Sequence, residues 1–196
     1  MLSFSEACER NKSPILEVLL GVFARSRGVL EIGSGTGQHA VYFAGHLAHL
    51  QWHPTEQSAY LAALSSRVSA EPRPNLHPPI ELDVHQSVWP EVEVDAVFSA
   101  NTLHIMSFPA VQCFFEGVGR LLPTQGHLAV YGPFKYQGRY TSVSNQQFDQ
   151  MLRRRDAASG LRDLDEITPL AAANRLRLVA DHDLPAHNRL LVFVRD

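Results

Sequence analysis

Val29-Leu30-Glu31-Ile32-Gly33-Ser34-Gly35-Thr36-Gly37-Gln38 is a short apolar run that ends in three alternating glycines. It leads into Gln38 to Leu47, which can continue as a helix, so the stretch reads as strand, loop, helix. Glycines directly after a strand let the backbone approach a ligand closely, and the helix that follows offers free amide donors. The spacing is Gly-x-Gly-x-Gly. Dinucleotide binding prefers Gly-x-Gly-x-x-Gly with room for a pyrophosphate, and here the last position of that pattern is Gln38. The loop therefore points to a nucleoside-bearing ligand of another kind, or to tight packing of strand against helix.

The alternation repeats on both sides of the loop. Upstream, Ser13-Pro14 reads as an N-cap followed by a first-turn proline, with Ile15, Leu16, Leu19, Leu20 and Phe23 at helical spacing, giving a helix that ends near Gly28. Downstream come a strand at Leu50 to His53, a helix around Glu56 to Val68, a strand at Ile80 to Leu82, a strand at Val94 to Ala100 and a helix from about Pro109 to Leu122. A fifth strand spans Gly126 to Tyr131. Helices follow through Phe148 to Leu152 and near Leu164 to Ala173. Two closing strands, Leu176 to Ala180 and Leu190 to Val194, are joined by a wide loop and can pair antiparallel. The expected fold class is α/β, a doubly wound and mostly parallel sheet with a C-terminal antiparallel strand pair. Length and the lack of a linker or repeat predict a single domain over residues 1–196.

Charge narrows the partners. A formal net charge of -3 gives no long-range pull on a phosphate backbone, and Arg153-Arg154-Arg155 reads as a solvated helix face. Two distant cysteines, Cys8 and Cys113, suggest neither a disulfide framework nor a metal site. Met1-Leu2-Ser3-Phe4-Ser5-Glu6 lacks the basic-then-apolar pattern of an export signal, and no apolar segment is long enough to span a bilayer. The expectation is a cytoplasmic protein with no membrane partner and no metal; oligomeric state is not legible.

In a doubly wound sheet, ligands sit beyond the carboxyl ends of the strands. Besides Glu31, Gly33, Ser34, Gly35 and Gly37, this places four residues at a cofactor. Glu56 follows the second strand, where a carboxylate can accept from both ribose hydroxyls; a helix N-terminal charge is its plainer reading. Asp83 follows the third, where it can accept an adenine amino group while Val84 offers a backbone amide; an N-cap is the alternative. Asn101 ends the fourth, and a buried amide there needs partners. His104 lies between Leu103 and Ile105, a setting more typical of a hydrogen-bonded core histidine than of a general base.

Three segments carry a further signal: Glu9-Arg10-Asn11-Lys12-Ser13-Pro14-Ile15-Leu16, Ser99-Ala100-Asn101-Thr102-Leu103-His104-Ile105-Met106 and Tyr131-Gly132-Pro133-Phe134-Lys135-Tyr136. With Gly138 to Asn145, Phe148-Asp149 and Leu161-Arg162-Asp163, they resemble a methyltransferase-like family long catalogued as a domain of unknown function. The resemblance covers nearly the whole chain. It implies the Rossmann-like fold of class I methyltransferases and S-adenosylmethionine as cofactor, but supplies neither acceptor nor catalytic residue. Thr55-Glu56 departs from an expected aspartate yet keeps the carboxylate, and Ala186-His187-Asn188-Arg189 departs where a second asparagine is commoner.

On that reading an acceptor attacks the sulfonium methyl group in line, with the protein holding both reactants and excluding water. Arg10, Asn11 and Lys12, placed before the first helix, can pair with the methionine carboxylate of the cofactor. Tyr131, Phe134 and Tyr136 offer aromatic faces to the sulfonium, so Tyr131 and Tyr136 join His104 as catalytic candidates. The stretch from Pro133 to Asn145 reads as a mobile cover in which Tyr136, Arg139, Tyr140 and Asn145 select the acceptor. A small-molecule acceptor is expected, because short connections leave little surface for a macromolecule. The alternatives are a protein or RNA acceptor, and a scaffold or sensor that binds the cofactor without turnover.

Overall fold

The computed structural model describes residues 4–196; the reading of Met1-Leu2-Ser3 as free of an export signal falls outside them. The chain divides into two compact units, one ending at Ser99 and one running from Ala100 to Asp196.

The first unit opens with helix α1 (Glu6–Val22) and strand β1 (Gly28–Ile32), followed by α2 (Gln38–His46), β2 (Gln51–Glu56), α3 (Ser58–Ala70), β3 (Ile80–Glu81) and β4 (Ala96–Ala100). β1 is buried along its whole length, as expected of a central strand covered on both faces. It pairs in parallel with β2, Leu30 opposite His53, and with β4, Leu30 opposite Val97. β3 adds to β2 in parallel. Phe43, Trp52 and Phe98 meet as an aromatic cluster whose ring centroids lie 5.3 to 6.0 Å apart, and all three are fully buried.

Two elements here differ most from expectation. α1 begins at Glu6 and not at Pro14, because the Ser5 hydroxyl caps the helix by accepting from the Cys8 amide, and Glu6 and Glu9 favour the first turn electrostatically. Pro14 sits inside the helix, and the helix ends at Val22, not near Gly28. β2 runs three residues further than the apolar pattern indicated, through Pro54, Thr55 and Glu56, so Glu56 ends a strand and does not start a helix.

The second unit contains α4 (Phe108–Leu121), β5 (His127–Gly132), β6 (Phe134–Tyr136), β7 (Arg139–Tyr140), α5 (Val143–Arg155), β8 (Arg162–Asp163), α6 (Leu164–Ala173), β9 (Leu176–Leu184) and β10 (Asn188–Arg195). Ser107, Ser142 and Asp163 cap α4, α5 and α6 with their side-chain oxygens. β10 runs antiparallel to both β5 and β9 and lies between them. The expected wide loop between the last two strands is only Pro185–His187, since pairing continues to Leu184 opposite Asn188.

The larger sheet has seven strands in the order β3-β2-β1-β4-β5-β10-β9, the mostly parallel α/β sheet with a C-terminal antiparallel pair that the pattern predicts. Among the described residues no helix is long and apolar enough to cross a membrane, and no group of three or more His, Cys, Asp and Glu side chains is placed to hold a metal ion.

The stretch Pro133 to Asn145, expected to be a mobile cover, carries β6, β7 and the start of α5, and β6 and β7 join β8 in a small sheet, β7-β6-β8. β6 and β7 form a hairpin turned by Gln137 and Gly138, both at positive φ (51° and 74°), the geometry that two-residue hairpins favour. β6 also pairs in parallel with β8, Phe134 opposite Arg162 and Lys135 opposite Asp163. Strands of two and three residues are too short to leave a period-2 trace in the sequence.

Candidate functional site

The glycine loop is built from the β1 end outward. Gly33, Gly35 and Gly37 all lie at positive φ, 73°, 56° and 80°, a backbone path that L side chains rarely follow. Ser34 turns inward: its amide donates to the Thr55 carbonyl at 2.9 Å and its hydroxyl accepts from the Thr55 amide at 3.2 Å, tying the loop to β2. Gly37 has a packing reason as well, since a Cβ there would stand 2.8 Å from the Leu64 Cδ1 of α3. Gly35 is different. It is exposed, and a Cβ on it would meet nothing within 4 Å.

Glu56 completes this loop. One carboxylate oxygen accepts from the Gly35 amide at 2.7 Å and the other from the Gln57 amide at 2.8 Å, so a negative charge stands at the loop's open side. A residue that sequence reasoning missed holds the opposite side: buried Arg67 of α3 donates from Nε to the Thr36 carbonyl at 2.7 Å and pairs with Glu71 at 2.7 Å. Nothing in the helical pattern marks Arg67 as a loop brace, because its partner is a backbone atom 31 residues away.

Glu31 lies beneath, 1% exposed, with Trp52 Nε1 donating to its carboxylate at 2.8 Å. Burial raises its pKa from an ordinary 4.5 to about 7, against the lowering pull of the Trp52 and Ser34 donors. The folded protein therefore holds a proton that the unfolded chain releases between about pH 4.5 and 7, so stability falls as pH rises through that window and levels off above it. The expected size is about 3 kcal/mol. Glu31→Gln keeps an acceptor for Trp52 and removes the titration, so in denaturant unfolding at pH 5 and pH 8 it should show a flatter profile than the parent. Parallel profiles would mean that Glu31 does not carry the proton.

Asp83 forms a tight turn just after β3, its carboxylate accepting from the His85 amide at 3.0 Å and its carbonyl from the Gln86 amide at 3.0 Å; Val84 is buried beside it. The first of the two readings of Asp83, an acceptor for a ligand's amino group, still has its second carboxylate oxygen to draw on.

Arg10, Asn11 and Lys12 lie within α1, not before it. Arg10 is exposed and paired with Glu6 at 3.2 Å. Lys12 pairs with Glu9 and sits 4.8 Å over the Tyr42 ring. Asn11 is buried against α2, its Oδ1 2.7 Å from His39 Nε2, and Gln38 holds Ser5 through both its amide atoms. These contacts dock α1 on the first turn of α2. Burial, then Lys12, lowers the His39 pKa to about 4 and keeps the ring neutral.

In the second unit, Asn101 adopts a left-handed φ of 60°, tolerated by asparagine, and donates its amide to the Tyr131 carbonyl at 2.9 Å. Tyr131 is buried in β5. The turn that follows Asn101 is clamped from outside. Arg162 Nε donates to the Leu103 carbonyl at 3.0 Å, the Gly160 amide to His104 at 2.9 Å, the Ser159 hydroxyl to Ile105 at 3.0 Å, and Arg162 Nη2 to Met106. His104 is 7% exposed with its ring edge-on to Phe148; burial, then Arg162, brings its pKa to about 4. At neutral pH it is an uncharged ring and a weak base.

The four residues expected to select an acceptor are not gathered at one point. Tyr136 donates its hydroxyl to Asp181 at 2.8 Å, and Asp181 also accepts from Arg189 Nε at 2.7 Å. Burial and Asp181 raise the Tyr136 pKa beyond its ordinary value. Tyr140 donates to Asp149 at 2.8 Å, and Asn145 Nδ2 donates to Thr141 at 2.8 Å and to the His187 carbonyl at 3.0 Å. Arg139 is exposed. Three of the four thus brace the small sheet and the β9–β10 hairpin.

A family model described as protein of unknown function (DUF938) matches residues 2–195. Among solved structures, the chain is similar to an O-methyltransferase family protein from Burkholderia thailandensis, with a TM-score of 0.82 at 17% identity over 97% of this chain and 58% of that one. It is also similar to human N-acetylserotonin methyltransferase in complex with SAM, TM-score 0.80 at 15% identity over 97% and 53%, and to PigF with SAH, TM-score 0.81 at 14% identity over 95% and 56%. At these identities the likeness is one of fold, and the chain spans a little over half the length of each of those proteins.

Proposed function

We infer that this chain, which belongs to the family described as protein of unknown function (DUF938), binds S-adenosylmethionine and passes its methyl group to a small molecule in the cytosol. The observation that carries the reading is the open side of the glycine loop. Gly35 leaves clear space there, and the Glu56 carboxylate stands beside it as an acceptor for paired hydroxyls. The fit extends along the first unit, with Asp83 and Val84 just after β3 for a purine.

In this reading Gly33, Gly35, Gly37, Glu56, Asp83 and Val84 hold the cofactor. Ser34 and Arg67 keep the loop in shape, Glu31 underlies it, and Arg10 and Lys12 take no direct part. When bound, the cofactor supplies a methyl group made electrophilic by the adjoining sulfonium. The residues of this chain then have to orient the acceptor and exclude water, which is where positioning contributes most. His104, uncharged at neutral pH, can orient an acceptor hydroxyl by hydrogen bonding without trapping its proton. The names of the structural neighbours, an O-methyltransferase and an N-acetylserotonin methyltransferase, support a small-molecule acceptor.

One observation favours the second reading, a binder without turnover: Tyr136, Tyr140 and Asn145 each direct their polar atoms to partners within the second unit. Calorimetric titration of cofactor-stripped protein with S-adenosylmethionine, S-adenosylhomocysteine and NADH tests the cofactor. Binding of the first two and not the third is expected; NADH binding alone would overturn the assignment. Turnover is tested by incubation with methyl-labelled cofactor and a panel of hydroxyl, amine and thiol acceptors, where label retained on the cofactor throughout would favour the binder.

A further inference from the structure

Helix α1 is held in two different ways along its length. Its second half is anchored by apolar burial: Ile15, Leu19 and the cap residue Phe23 are fully buried, and Leu16 is buried as well. The first half has no such anchor. Phe4, Glu6, Ala7, Glu9 and Arg10 are exposed, Ser5 and Cys8 are half-buried, and Asn11 is the one buried residue before Pro14 among those described. Hydrogen bonds to one side chain tie this free end to the rest of the unit: the Ser5 amide donates to Gln38 Oε1, and Gln38 Nε2 donates to the Ser5 carbonyl at 3.3 Å. Between the halves stands Pro14. Having no amide, it cannot donate to the Arg10 carbonyl four residues back, and its ring crowds that carbonyl, so α1 bends most easily from Arg10 to Pro14. Asn11, 2.7 Å from His39 of α2, fixes the inner side of that bend.

The free end of α1 rests on the glycine loop. Gln38 directly follows Gly37 and opens α2, and the Thr36 hydroxyl donates to the same Gln38 oxygen at 3.5 Å. Cys8, one turn along α1 from Ser5, lies within reach of the loop's supports: besides burial and a bond to Ser5, its thiol feels the charges of Glu31 beneath the loop and of Arg67 that braces it. Resting on the S-adenosylmethionine reading, we propose that Ser5 to Arg10 form a gate on the cofactor site, hinged at Pro14 and latched by Gln38, which swings aside to admit the cofactor and to release it. The gate sets how fast the ligand enters and leaves, and the loop sets how tightly it is held. The segment Glu9 to Leu16, one of those that carry the family resemblance, is then the hinge itself: Asn11 fixes it, Pro14 permits it, and Ile15 and Leu16 anchor the helix beyond it.

The test is kinetic, with S-adenosylhomocysteine as the probe and surface plasmon resonance on the immobilised full chain as the readout. Gln38→Ala removes both bonds to Ser5 and should raise the association and dissociation rates together by about tenfold, leaving their ratio within about twofold of the parent's. Pro14→Ala supplies the missing amide, so that bending must break a helical hydrogen bond, and should slow both rates by roughly threefold. Alanine also favours the helix, so this variant serves if Gln38→Ala does not fold. Rates that match the parent's in either folded variant, or a loss of affinity through faster dissociation alone, would overturn the gate while leaving the cofactor assignment standing. Failure of the wild-type protein to bind S-adenosylhomocysteine at all would overturn both.

Discussion

Gly35→Asp should leave the protein folded and weaken S-adenosylhomocysteine binding by about a hundredfold or more, a loss near the 2.8 kcal/mol that two decades of affinity represent. The choice of position follows from the loop's geometry. A side chain at Gly35 meets nothing within 4 Å, so the substitution brings no clash with the protein itself. Its φ of 56° costs an L residue about 1–2 kcal/mol, and aspartate is among those that bear it best. The new carboxylate would enter the space assigned to the ligand and stand near Glu56, whose oxygen is 2.7 Å from the Gly35 amide. Gly37 would not give so clean a result, since a Cβ there collides with Leu64 and couples binding to folding. Unchanged calorimetric affinity in a folded Gly35→Asp protein would remove the glycine loop from the binding site.

Asp149→Ala should lower stability by about 2–4 kcal/mol, measured by denaturant unfolding at pH 7. Asp149 is 2% exposed and gathers the Tyr140 hydroxyl at 2.8 Å, Arg153 Nε at 2.8 Å and the Leu161 amide at 2.6 Å. Removing it leaves the buried Leu161 amide without an acceptor and the Tyr140 hydroxyl and Arg153 without their shared partner. Burial pushes the Asp149 carboxyl up, but the donors from Arg153, Tyr140 and Leu161 outweigh it and hold the pKa below the ordinary aspartate value. The contribution is therefore present above the unfolded pKa and lost as pH falls through the lower folded one, so the gap between variant and parent should narrow in acid. A gap that stays constant down to the acid transition would show that the ionised carboxylate is not what binds the three donors.

What could be read in advance divides along physical lines. The glycine loop and the strands around it were legible because backbone demands leave a local mark: glycine where φ is positive, and unbroken apolar runs where a strand is covered on both faces. Glu56 and Asp83 were found as strand-end carboxylates, although the strand that carries Glu56 runs beyond the expected Leu50 to His53. α1 was misplaced because two start signals compete: Ser13-Pro14 is the more familiar, but Ser5 with two acidic residues in its first turn is the one that forms. The polar core of the second unit left no mark in periodicity or local pattern. Asp149, Arg162 and Asp163 are charged residues in a charged neighbourhood, and only the fold reveals that Arg162 reaches the Leu103 carbonyl and Asp163 the Gly138 amide, 59 and 25 residues away. The segments that carry the family resemblance, Leu103 to Met106, Gly138 to Asn145, Asp149 and Leu161 to Asp163, are the ones this polar network joins.

The seating of β10 between β5 and β9 also dictates an order of assembly. Its pairing with β9 closes a three-residue turn, whereas its pairing with β5 must bring together Gly132 and Arg189 across everything from Pro133 to Asn188. Loop closure over that span is slow relative to a hairpin, so β9 and β10 should form first and dock on β5 as one piece. Until they dock, β5, an apolar strand, has an open row of amides and carbonyls, and a partly folded molecule could recruit a neighbouring chain there. Pulse-labelled hydrogen exchange should find β9–β10 amides protected before those of β5, and variants that weaken the hairpin should aggregate on refolding more than their loss of stability alone accounts for.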